Sequence, residues 1–168
     1  MIFKLRIGHW RITFTIAPVI DVKGVNSTLQ DGNHIPMWDF DNIPLEKVAH
    51  VLEIVQYVYN LPTIFILNSG KPNHFIAYCF KRLPWDFCKL VVATARGVDP
   101  NFYKYGVYRD HWTLRVTPKE SGIPHCVEVI KSPVQEDCNV RDLKSWTQYE
   151  TLADNTPMRK REWNFAKR

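Results

Sequence analysis

The first twenty positions alternate. Apolar side chains recur at every second residue through Phe3, Leu5 and Ile7, and again through Ile12, Phe14 and Ile16. That is the period of a strand, and Gly8-His9 supplies a turn between two of them. Residues 23–33 are polar and contain glycine, a loop by composition, and residues 34–41 read as the next strand. From Pro44 the period changes. Leu45, Val48, Leu52, Val55 and Tyr59 follow helical spacing, with Pro44 at the start, Glu46 in the first turn and Asn60-Leu61-Pro62 as a stop. Two β-rich runs, 63–67 and 74–80, flank the turn residues 69–73 and predict a hairpin with that turn at its tip. Residues 85–95 predict a second helix, opened by Pro84 and Asp86 and closed by Gly97, and 112–116 and 126–130 are strand-like. Beyond Pro133 the chain is more polar, and 139–152 reads as a helix.

From residue 34 the predicted order is strand, helix, strand, strand, helix, strand, with one further strand. It fits an α+β fold, an RRM-like antiparallel sheet with helices on one face, preceded by a short N-terminal β element. The expected organisation is one folded region over 1–133, made of the β element 1–33 and a core over 34–131, followed by a polar, basic extension over 134–168.

Composition narrows the class without fixing it. A chain of 168 residues suits one domain with a real core. A net charge of +5 and a pI near 9.0 favour a polyanionic partner. Cys79, Cys88, Cys126 and Cys138 form no C-x-x-C pair and have no histidine at zinc-site spacing, so they read as reduced, mostly buried thiols. The N-terminal run carries charges inside its apolar stretch, unlike a signal peptide, and no apolar run is long enough to cross a bilayer. The expectation is a cytoplasmic protein with no membrane partner. The end of the chain, residues 159–168, is basic and interleaved with aromatics, a composition that suits a phosphate backbone with stacked bases or a solvated terminus.

The chemistry-bearing positions are Asp39 and Asp41 in Trp38-Asp39-Phe40-Asp41-Asn42, and Ser69-Gly70-Lys71-Pro72-Asn73-His74 about thirty residues later. On a strand, Asp39 and Asp41 share a face. Two neighbouring carboxylates repel unless solvated, protonated or bridged by a cation, and hard oxygen ligands suit Mg²⁺ or Mn²⁺. A turn of serine, glycine, lysine and histidine suits phosphate, because small residues let backbone N–H groups approach while Lys71 and His74 supply donors and charge. Val98-Asp99 is a candidate third acid, Glu128 another, and Arg109, Arg115 and Lys119 are candidate phosphate or template contacts. His9, His34, His50, His111 and His125 lack ligand spacing. Trp38, Trp85 and Trp112 read as core, with Trp112 the one placed to stack on a base.

Taken in order, these motifs resemble the catalytic core of the archaeo-eukaryotic primase superfamily, the primase-polymerases: an acidic pair, an S-x-H turn, a later hydrophobic-Asp, then basic residues. The resemblance covers residues 34–131. The turn here is close to the S-G-x-G-x-H form with Pro72 in place of the second glycine, the 33 residues ahead of the core are short for that superfamily, and no zinc-binding stem is present. The resemblance implies that Asp39, Asp41 and Asp99 hold two metal ions, Mg²⁺ or Mn²⁺, for two-metal-ion catalysis. It also implies that Ser69, Gly70, Lys71, His74, Arg109, Arg115 and Lys119 contact the nucleotide. The implied partners are nucleoside triphosphates, a single-stranded DNA or RNA template and a helicase or other replication protein; the small size suggests a virus, plasmid or compact replication system.

Three other readings compete. Trp38 to Pro44 also resembles the opening Asp-containing strand of NYN-type nucleases, and Asp39-x-Asp41 the first motif of haloacid-dehalogenase phosphatases. A catalytically inactive RRM-like module that binds single strands would share the sheet but lacks the aromatic-rich pattern on two central strands. Asp41 or Asn42 could equally do no more than cap the Pro44 helix.

Overall fold

In a computed structural model of the chain, residues 2–15, 19–117 and 122–152 are described. The elements are β1 (Ile2–Ile7), β2 (Trp10–Thr15), β3 (Val19–Asn26), β4 (Met37–Asp41), α1 (Leu45–Tyr59), β5 (Ile64–Asn68), β6 (His74–Cys79), α2 (Trp85–Thr94), α3 (Pro100–Arg109), β7 (Thr113–Arg115), β8 (His125–Ile130), a 3₁₀ turn at Val140–Asp142, and β9 (Trp146–Leu152). The fold is α+β with antiparallel sheets, as the alternation of periods implies. Among the described residues no helix is long and apolar enough to cross a membrane.

The main sheet runs β4-β6-β5-β8, antiparallel throughout. The β4-α1-β5-β6 portion is a split βαβ unit in which β6 slots between the two strands that α1 connects. Alternation divides the sheet into two faces. Trp38 and Phe40 of β4, Phe75, Ala77 and Cys79 of β6, and Ile64 and Ile66 of β5 share one face by register and join one buried cluster with Val48, Leu52 and Val55 of α1 and Cys88, Val91 and Val92 of α2. Each such aliphatic side chain contributes roughly 1.5–3 kcal/mol by leaving water. Asp39, Asp41, His74, Ile76 and Tyr78 lie on the other face.

Helix α1 begins and ends where its sequence signals stand. Pro44 precedes its first turn, Glu46 sits near the positive end of the helix dipole, and Asn60 closes it in the left-handed region at φ 50°. Just before the stop, the Gln56 side chain donates to the carbonyls of Pro62 and Ile130, both at 3.0 Å, tying the end of β8 to the helix that packs beneath it. With β8 paired to β5, β4 is left at the opposite edge of the sheet.

Several elements depart from the sequence expectations. Residues 23–33 are not all loop: β3 continues to Asn26 and pairs with β7 in a second sheet ordered β7-β3-β9. Gly24 is there because strands crowd, since a Cβ would fall 2.5 Å from Thr113 Cγ2. Residues 139–152 do not form a helix. Asn139 and Asp142 make a reciprocal capping box, but it opens only one 3₁₀ turn before β9. The Asp99-Pro100 pair starts an additional helix, α3.

The chain also divides elsewhere than at residues 33 and 133. Among the described residues, one compact unit spans Lys23–Thr147 and the other takes those up to Val22 together with 148–152. Segments on both sides of the expected boundaries belong to the larger unit because they pair and pack there. Asn26 N–H donates to Ser145 O at 3.2 Å, Lys144 N–H to Thr28 O at 2.8 Å, and Leu29 and Cys138 are buried in its core. In the smaller unit β1 and β2 form the expected hairpin, with Leu5 opposite Ile12 and Ile7 opposite Trp10. Cys79, Cys88 and Cys138 are buried free thiols and Cys126 is exposed. Burial pushes the Cys79 and Cys88 thiols up and Cys138 up to about 12, which makes all three inert at neutral pH.

Candidate metal and phosphate site

Alternation along β4 turns its carboxylates to the sheet face opposite the one packed on α1 and α2. Asp39 and Asp41 project together, and pairing of β4 with β6 sets His74 directly opposite Asp41. His74 Nδ1–H donates to Asp41 Oδ1 at 2.5 Å, so one carboxylate and the imidazole hold each other in place. On the open edge, the Asp99 N–H donates to the Asp39 carbonyl at 2.8 Å and fixes the backbone that carries the first acid.

The Ser69 to Asn73 turn is clamped from three sides. Asn68 accepts from Gly70 N–H at 2.7 Å and donates to the Lys71 carbonyl at 3.1 Å. Ser69 N–H donates to the His74 carbonyl at 3.0 Å. The tip is tied to the residues after β4 by an Ile43 N–H to Asn73 carbonyl bond of 3.1 Å. Gly70 at φ 97° and Asn73 at φ 58° take the left-handed conformations the turn requires, which glycine and asparagine tolerate best.

The two segments and β7 enclose a cavity of about 230 Å³, lined by Asp39, Asp41, Ser69, Lys71, His74 and Ile76 on one side and Thr113, Leu114, Arg115 and Pro124 on the other. Arg115 Nε donates to the Thr117 carbonyl and hydroxyl, both at 3.2 Å, which orients its guanidinium. Thr113 Oγ1 donates to Asn26 Oδ1 at 2.7 Å. Two carboxylates thus share one small space with a lysine, a histidine, an arginine and a buried serine. That mixture suits a cation bound together with an anion better than either alone.

Of the positions singled out in the sequence, Asp39, Asp41, Ser69, Lys71, His74 and Arg115 line this one cavity. Gly70 shapes the turn but does not line it. Asp99 lies to the other side of Asp39: both its oxygens are engaged as the N-cap of α3, accepting from Asn101 N–H at 3.2 Å and Phe102 N–H at 3.0 Å. A second cavity, also about 230 Å³, is lined by Asp39 and Asp99 together with residues of α3 and β7, including Arg109, whose guanidinium sits 5.9 Å from the centre of the Tyr105 ring. Glu128 is on β8, with β5 and β6 between it and β4. Lys119 and the basic tail 159–168 lie outside the described residues.

No protein-family model matches this sequence, and neither a curated protein nor a solved structure matches it. Function is therefore read from the chemistry of the cavity. Among the described residues no three His, Cys, Asp or Glu side chains are grouped to hold a metal ion by themselves. The Asp39/Asp41 pair still fits Mg²⁺, which dehydrates reluctantly and is held by one or two carboxylates plus substrate phosphates rather than by an all-protein cage.

Sequence reasoning did not single out Thr113, Leu114, Pro124 and Ile76 as cavity walls, nor the stripe Phe102, Tyr105, Gly106 and Arg109 on α3 apart from its arginine. The first group had no signal, since apolar and hydroxyl residues on strands are ordinary. The second did: Asp99-Pro100 followed by residues at helical spacing is a helix start.

Proposed function

We propose that the chain catalyses template-dependent nucleotidyl transfer, the reaction of a primase or primase-polymerase, with Asp39 and Asp41 as the acidic pair. The observation that carries this reading is the single cavity in which Asp39 and Asp41 face Ser69, Lys71, His74 and Arg115. A Mg²⁺ or Mn²⁺ ion bound to the two carboxylates would supply neutralisation of charge at the transferring phosphoryl group. The chain's own groups bind and orient the triphosphate. Lys71 and Arg115 offer positive charge to its oxygens, and the Ser69 hydroxyl and His74 offer hydrogen bonds. Asp41 fixes the imidazole through the 2.5 Å bond. Attack of a strand's 3′-hydroxyl on the α-phosphorus forms the new P–O bond as the bond to the oxygen bridging the β-phosphate breaks; the hydroxyl's proton passes to water and pyrophosphate leaves. No side-chain nucleophile is required.

Asp99 serves this site by anchoring the Asp39 backbone and capping α3. Glu128 stands on β8, at the opposite edge of the sheet from β4, and does not line the cavity.

The test is incorporation of labelled nucleotides on a single-stranded template, with and without a primer, in Mg²⁺ and in Mn²⁺. Product is expected with the native chain and a loss on the order of 100-fold or more with Asp39→Ala or Asp41→Ala, because each removes half of the charge that holds the cation. Shortening of the labelled strand instead would point to a nuclease.

A second reading draws on one specific observation. Phe65 of β5 and Tyr78 of β6, on the two central strands, stack with ring centroids 5.3 Å apart at 22°. Register places both on the face that carries the carboxylates. A module that binds single strands by stacking, without chemistry, would use such a pair, and would do so without a metal requirement.

A further inference from the structure

Two cavities flank Asp39. Asp39 and Thr113 line both of them. The first carries the anion-binding groups described above. The second is walled by aromatic rings: Phe102 and Tyr105 from α3 and Trp112 from the residue before β7. Phe102, Tyr105, Gly106 and Arg109 stand three or four residues apart and so occupy one stripe of the helix. An amphipathic helix ordinarily packs its apolar stripe into a core, whereas much of this one borders open space.

Packing holds that wall in shape. Trp112 is 1 % exposed and nearly parallel to Phe102, with centroids 6.3 Å apart at 20°. Its indole edge rests on Gly106, where a Cβ would fall 2.0 Å from Cδ1 and Nε1; any other residue would push the ring out of the wall. Tyr105 differs from both. It is 54 % exposed, so its ring is presented to solvent instead of being used for the core.

Volume points the same way as chemistry. Each cavity, at about 230 Å³, falls below the roughly 300–1,000 Å³ common for small-molecule sites, and the two joined fall within that range. A ligand that filled both would be polyanionic at one end and flat and unsaturated at the other, with a cation near the junction.

We propose that the α3/β7 cavity receives the base and sugar of a nucleoside triphosphate whose phosphates occupy the first cavity, with Tyr105 as the stacking surface. This rests on the phosphate-site reading above and extends it. The Arg109 guanidinium lies over the Tyr105 ring, 5.9 Å from its centre.

The test compares two probes on the full-length chain in Mg²⁺ by calorimetric titration: a deoxynucleoside triphosphate, and inorganic tripolyphosphate, which has the charge without the base. The native chain is expected to bind the nucleotide more tightly. Tyr105→Ala should weaken nucleotide binding by on the order of 10-fold, leaving tripolyphosphate unchanged, and Tyr105→Phe should restore the native value because the ring is what stacks. Circular dichroism of each variant checks the fold. If tripolyphosphate binds the native chain as tightly as the nucleotide, or Tyr105→Ala leaves nucleotide affinity intact, the inference is overturned while the phosphate site stands. If neither probe binds, both are overturned.

Discussion

His34 shows how a single side chain sets the pH response of the core. It is 5 % exposed, lies against the Trp85 ring at a centroid distance of 4.5 Å, and its Nδ1 is 3.1 Å from Ser27 Oγ. Burial, with a smaller contribution from His111, pulls its pKa from 6.5 down to about 4. Between those values the unfolded chain binds a proton that the folded chain refuses. The contribution is therefore complete above pH 6.5 and is lost as the pH falls toward 4, amounting to on the order of 3 kcal/mol. Urea unfolding midpoints measured from pH 7 to pH 4.5 should fall accordingly, and His34→Gln should flatten that slope. An unchanged slope in the variant would show that another group titrates. The sequence alone gave His34 no role, because burial belongs to the tertiary structure and cannot be read from spacing.

At the scale of the element, α3 is the most informative segment. Asp99 was attractive from sequence as a third acid, and in the folded chain its carboxylate caps this helix. The two roles separate cleanly by substitution. Asp99→Ala removes the cap and should cost about 1 kcal/mol, whereas Asp99→Asn keeps an equally good cap and should leave stability unchanged. If Asp99 acts by anchoring Asp39 and capping, Asp99→Asn should also retain most of the nucleotide-transfer activity. A loss as deep as that of Asp39→Ala would make Asp99 a metal ligand after all.

Legibility varied from element to element for physical reasons. Helix α1 was readable because its apolar period, its proline and its asparagine stop agree, and the β5–β6 hairpin because its turn residues agree with the runs on either side. Helix α3 was hidden by a stripe of aromatics, glycine and arginine that does not read as a core face. The strand character of β3 was masked by Gly24, which is present for close strand approach and looks like a loop residue. The capping box at Asn139 is genuine, yet the residues from Trp146 are β-branched and aromatic, and strand pairing wins after one turn.

For the whole molecule, the decisive feature is that β4 lies at the edge of its sheet. With β8 placed on the far side of β5, the outer edge of β4 accepts from Asp99, and α3 and β7 both contribute to cavities at Asp39. The adjacency of Asp41 and His74 was predictable once the strands were known. The arrival of Arg115 in the same cavity was expected only through the resemblance, because β7 belongs to a different sheet whose position no local pattern encodes.

If Asp39 and Asp41 form one site with the Ser69 to Asn73 turn, cation and triphosphate bind together. Mn²⁺ binding followed by electron paramagnetic resonance, with and without a deoxynucleoside triphosphate, tests it most directly, set against the same titrations of Asp39→Ala/Asp41→Ala and Lys71→Ala. On the native chain each ligand is expected to tighten the other, the double substitution to abolish this coupling with the fold intact, and Lys71→Ala to weaken the nucleotide more than the metal. Nucleotide binding that ignores both the metal and the two aspartates would contradict it.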